Sequence, residues 1–165
     1  MKIETPTDIF FDQLRDLNSA LQQVAGTLPD LIGWSTANDL RKRLEKYHEL
    51  ILSYLQEVSA IFESHGEDSG NDKCKAIAGL IEGGNQHLEI AEGAVIRDLL
   101  LIAHSSRIGH YMLAASRFAG GIATTCGLVV EADVITENST AQIDFMDGLE
   151  HIASKDFGVE IGGAN

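Results

Sequence analysis

From Leu99 to Cys126 the only charged residues are Arg107 and Arg117, set among leucine, isoleucine, alanine and glycine. No other feature restricts the fold as much. The stretch is too long for a strand of ordinary length. Extended back to Val95 it also holds Arg97 and Asp98, which interrupts it too often for a bilayer span. A helix that is apolar on every side needs neighbours on every side. The spacing therefore predicts a helix from about Val95 to about Cys126 in the middle of a bundle. Gly120-Gly121 would be a point of kinking or close approach.

The flanking segments repeat the helical period. Ile9, Phe10, Leu14, Leu17, Leu21, Val24 and Leu28 recur every three or four residues after Thr7-Asp8, with Pro29 expected to bend the last turn and Gly33 to stop it. Asn38-Asp39 is expected to cap a second helix whose stripe is Leu40, Leu44, Tyr47, Ile51, Tyr54, Val58 and Ile61, ending at His65-Gly66 before a polar loop. A third helix from about Asp72 to Ala91 is expected to break near Gly83-Gly84. A fifth runs from about Leu128 to Ser154. Long helices joined by short loops imply an all-α antiparallel bundle. The domain is expected over residues 1–154, with 155–165 as a loose tail.

The 165 residues suit one domain with a sizeable core. A formal net charge of −13 repels phosphate backbones and anionic lipid, so neither nucleic acid nor membrane is an expected partner. Cys74 and Cys126 form no CxxC and are expected to be buried thiols in a reducing compartment. The N-terminus has acidic residues and no apolar core, unlike a signal peptide, and a cytoplasmic location is expected.

The chemistry is sparse. Glu45-Lys46-Tyr47-His48 has the Glu-x-x-His spacing of carboxylate-bridged metal sites in helical bundles. However, Leu44 and Tyr47 lie on the apolar stripe, which turns Glu45 toward solvent, so a solvated pair is the simpler expectation. His104 and His110 lie roughly 240° apart around a helix and do not share a face. No P-loop or dinucleotide fingerprint occurs, and Cys74 has no patterned histidine nearby.

From about Asp8 to Ala153 the chain resembles the YciF/YciE-like family of ferritin-like proteins. The residues that carry the resemblance are Lys73-Cys74, Gly79-Leu80-Ile81-Glu82, Arg97-Asp98, Leu101-Ile102-Ala103, and Arg107 with His110-Tyr111. Leu14, Asp16 and Ser19-Ala20 match the family's first helix. The resemblance implies a ferritin-like antiparallel four-helix bundle with an additional short helix, a homodimer, and a bacterial, stress-associated cytoplasmic setting. It also implies a di-iron site whose carboxylates project inward. At those positions this chain has Leu21, Tyr47, Leu50, Tyr54, Gly109, Met112 and Gln142, with Asn18, His110 and Tyr111 as possible polar remnants.

The substitutions are chemically coherent. Several carboxylates crowded in a core repel one another and are tolerable only around a cation. Apolar side chains can fill the space instead, and Gly109 is expected to make room for a tyrosine, with His110 and Tyr111 as hydrogen-bonded core residues. No catalytic residue, metal or cofactor is expected. The leading expectation is a non-enzymatic structural or interaction protein. The alternatives are a small-molecule binder using the vacated pocket, and a residual oxidase using iron or manganese.

Overall fold

The computed structural model describes residues 2–161. Five helices follow one another: α1 (Pro6–Trp34), α2 (Asn38–His65), α3 (Lys75–Glu89), α4 (Ala94–Thr125) and α5 (Val129–Phe157). Helix α1 opens with a capping box in which Thr5 Oγ1 accepts from Asp8 N–H and Asp8 Oδ2 accepts from Thr5 N–H at 2.8 Å. The cap is thus Thr5 and not Thr7-Asp8. Pro29 lies inside the helix, which runs past Gly33 to Trp34. Its apolar stripe, from Phe10 to Leu31, is buried against the bundle and outweighs the one donor that proline lacks.

The contacts between helices fix the topology. Arg15 near the start of α1 pairs with Glu67 just beyond α2 at 2.7 Å, so α1 and α2 are antiparallel. Tyr47 meets Gln142 and His65 meets Glu131, so α2 and α5 are antiparallel too. Tyr111 reaches Asp16, while His104 reaches Asn85, which in turn donates to Thr27, so α4 runs against α1. Helix α3 carries the chain back along α1, so α4 starts at the same end of the bundle as α2. The four long helices form a ring in the order α1–α2–α5–α4, every neighbour antiparallel, with α3 packed outside α1 and α4. One hydrophobic core runs through the ring from Phe10 to Ile152.

Three expectations change. Helix α3 is continuous through Gly83-Gly84, because Gly84 lies under His104 and fits the packing. Helix α4 is not enclosed: Val95 and Ile96 in its first turn and Phe118 near its end are each more than half exposed. Its lack of amphipathicity arises from apolar residues at both buried and exposed positions. Helix α5 runs beyond Ser154 to Phe157 and ends at Gly158 in the left-handed conformation (φ 67°), so the tail starts later than expected. The remainder of the expected tail, 162–165, lies outside the described residues.

Candidate functional site

Several of the positions singled out by sequence lie inside the ring. Leu21, Tyr54 and Met112 are fully buried, and Tyr47 nearly so. The Tyr47 hydroxyl donates to Gln142 Oε1 at 2.6 Å across α2 and α5. The Tyr47 ring lies flat on Phe145, with centroids 3.6 Å apart and planes 4° from parallel. The Tyr54 hydroxyl donates to Ser116 Oγ at 3.2 Å, which ties α2 to α4 across the core. Burial pushes both phenols well above their ordinary range, only partly offset by these hydrogen bonds, so both stay protonated. Gln142 is wholly buried and its Nε2 finds no acceptor. Asn18 is buried, and its Oδ1 likewise has no donor.

Not every expected member belongs. Gly109 makes room for Met146, not for a tyrosine: a Cβ there would lie 2.9 Å from Met146 Cγ and 3.5 Å from Phe145. His110 is exposed, one residue off the buried face defined by Ile108, Gly109 and Met112, and Nδ1 bonds the Ser106 carbonyl at 2.8 Å. It is therefore no core residue. Tyr111 is half-buried and turns toward α1, where its hydroxyl donates to Asp16 Oδ2 at 3.1 Å and lies 3.0 Å from Cys74 Sγ. Leu50 is half-buried at the edge of the layer. Glu45 and Glu49 are exposed, as their place beside the stripe implies. Cys126 is half-buried and not fully covered as expected.

Two polar devices escaped the sequence reading. Asp98 on α4 is 2% exposed and accepts from the N–H groups of Thr36 and Ala37, each at 2.8 Å, and from the Thr36 hydroxyl. It caps α2 from another helix. The residue at the cap position, Ala37, has no side chain able to do so, and Asn38-Asp39 lie inside the helix. Sequence reasoning looks for a cap next to its helix and has no signal for one 61 positions away. The second device is His104. It is buried, its Nε2 is 3.2 Å from Asn85 Oδ1, and its ring occupies the space that a Cβ on Gly84 would need. Burial first, then the nearby charges of Arg107 and His87, lower its pKa to about 4.

Chemically, the central layer offers two protonated phenols, the amides of Gln142 and Asn18, a hydroxyl and thioethers. None is a base or nucleophile at neutral pH. Among the described residues, no three His, Cys, Asp or Glu side chains gather closely enough to hold a metal ion. None of the described helices is long and apolar enough to cross a membrane.

Compared with known proteins, the chain matches the domain of unknown function DUF892 over residues 5–160. It is 27% identical to Protein YciF of Escherichia coli K12 over 138 residues, 83% of each chain. The crystal structure of the E. coli stress protein YciF superposes with a TM-score of 0.90 at 24% identity, covering 96% of this chain and 100% of that one. YcfI of Rhodopseudomonas palustris superposes with a TM-score of 0.85 at 24% identity, covering 90% and 94%.

Proposed function

The chain belongs to the DUF892 family, and on that footing we propose that it is a non-enzymatic, stress-associated structural or interaction protein of ferritin-like build that has lost a di-iron centre. The observation that carries this is the filling of the central layer. Leu21, Tyr47, Tyr54 and Met112 are each no more than 2% exposed, and the amide of Gln142 is already engaged by Tyr47. Iron and manganese in helical bundles are held by several carboxylates with imidazole. A layer of phenols, amides and thioethers does not fit that group. Replacing a buried ionic cluster by apolar side chains of similar volume is neutral or stabilising, which gives the exchange a physical rationale. A stress setting is supported by the relative, E. coli YciF, described as a stress protein. A cytoplasmic location agrees with two free thiols.

The test is metal analysis by mass spectrometry after aerobic loading with Fe(II) or Mn(II) and exhaustive chelation. Less than a tenth of an ion per chain is expected, on the order of adventitious binding. An ion retained stoichiometrically, with an iron–oxo absorbance, would overturn the proposal.

The same reading assigns the partner surface. Helix α4 exposes Val95, Ile96 and Phe118 beside Arg107, His110 and Arg117, and its only acid, Asp98, is buried. The chain as a whole carries 25 acidic residues against 12 lysines and arginines. In a two-fold pair the same α4 face meets itself, which would cover the exposed Val95, Ile96 and Phe118 on both copies, and a homodimer is the expected assembly. Phe118→Glu should shift sedimentation toward the monomer; a monomeric starting protein would refute this assignment.

A further inference from the structure

We propose that the hollow beside the Tyr47–Phe145 stack is a binding site for a small aromatic carboxylate. The hollow is an open cleft between α2 and α5 with a volume of about 120 Å³. Its walls are the two rings with Leu50 and Ala141, and its rim is Arg43, Lys46 and Asp144. An enclosed cavity of roughly 150 Å³ accommodates benzene; this hollow is smaller but open at its mouth, so it can seat part of one ring and no more.

The seat is rigid before anything binds. Tyr47 is pinned on its far side by Gln142, and Phe145 is stacked on it. Little side-chain freedom remains to be lost on binding, which is what makes a small hollow useful. The rim selects charge. Arg43 is committed: it donates to Asp144 Oδ2 at 3.0 Å and to the Asp144 carbonyl at 2.7 Å, and its guanidinium rests where Gly148 lacks a side chain. Its charge is thereby matched by Asp144. Lys46 is exposed, lines the same rim and forms no hydrogen bond or ion pair among the described residues. An apolar ring-sized wall with one uncommitted ammonium at its mouth fits an aryl ring bearing one carboxylate. This site borders the central layer through Tyr47 but opens between α2 and α5, and the proposal does not depend on the loss of a metal.

The experiment is an NMR titration of the full chain with benzoate, with benzyl alcohol and acetate as the two halves of the ligand. Benzoate should perturb the Tyr47 and Phe145 ring resonances with a dissociation constant on the order of 1 mM. Benzyl alcohol should bind about threefold more weakly, the scale of one exposed ion pair, and acetate not at all. Lys46→Gln should bring benzoate down to the level of benzyl alcohol and leave the alcohol unchanged. Ala141→Leu, or Leu50→Trp should that variant not fold, should fill the hollow and abolish both. Absence of ring shifts with benzoate, or shifts that survive the filling substitution, would overturn the proposal. So would equal binding of benzoate by Lys46→Gln and the parent.

Discussion

Asp98→Ala should be the most damaging single truncation of a polar side chain in this fold. The carboxylate is 2% exposed and satisfies three donors at the entry to α2: the N–H groups of Thr36 and Ala37, at 2.8 Å each, and the Thr36 hydroxyl. Loss of a helix N-cap alone typically costs about 1 kcal/mol. Charge-assisted bonds are about twice as strong as neutral ones, and each donor left buried without a partner adds roughly 1–3 kcal/mol. Thr36 is exposed, so water can take over part of the role. The net loss should be about 2–4 kcal/mol, equivalent to a fall in Tm of about 10 °C for a domain of this size. Asp98→Asn keeps one acceptor oxygen but loses the charge and turns an amide donor toward donors; it should lose roughly half as much. Urea unfolding followed by circular dichroism measures both. A loss under about 0.5 kcal/mol for the alanine variant would show that solvent caps α2 as well as Asp98 does, and the cross-helix cap would have to be abandoned.

The two adjacent glycines of α3 give a paired prediction. Gly83→Ala meets nothing within 4 Å and should stabilise by about 0.5–1 kcal/mol, whereas a Cβ on Gly84 would sit 2.0 Å from His104 Nδ1 and should destabilise by roughly 1–3 kcal/mol; equal effects in thermal melts would remove the account of α3 packing. His104 predicts an acid-labile fold. Its folded pKa, about 4, lies below its unfolded value of 6.5, so between these values the unfolded chain binds more protons. The stability that His104 confers is complete above about pH 6.5 and is lost as the pH falls toward 4. The unfolding free energy should therefore drop over that window, and His104→Gln should flatten the drop; an unchanged slope in the variant would assign the acid response to the carboxylates instead.

Most of the backbone was legible because it rests on periodicity. The stripes Phe10–Leu31 and Leu40–Phe62 name their buried faces directly, whereas α4 was legible as a helix only from its length and all-round apolarity. What could not be read depends on contacts between segments distant in sequence. The break expected at Gly83-Gly84 failed because the reason for Gly84 is a histidine on another helix. The cap expected at Asn38-Asp39 failed because the capping carboxylate belongs to α4. His110 was misplaced because α4, apolar on nearly every face, carries no phase information in its hydrophobic pattern. A one-residue error there turns a side chain by about 100°. Tyr47, Tyr54 and Gln142 are all buried; the clear stripe of α2 gives the facing of the two tyrosines directly, while Gln142 was assigned through the family resemblance.

Polar contacts in the central layer also key the register of the bundle. Apolar packing alone tolerates small slips between helices. The Tyr47–Gln142 bond fixes α2 against α5, and Tyr54–Ser116 fixes α2 against α4. Outside the core, Arg43–Asp144, His65–Glu131 and Lys155–Asp39 repeat the α2–α5 register along its length. Each exposed pair is worth little, but all three are satisfied only in one alignment. Asp98 does the same for α4 against the start of α2, so helices that are not sequence neighbours are keyed by polar atoms buried at two levels of the bundle. The keying is distributed over hydrogen bonds, each needing a donor and an acceptor at one height on two helices.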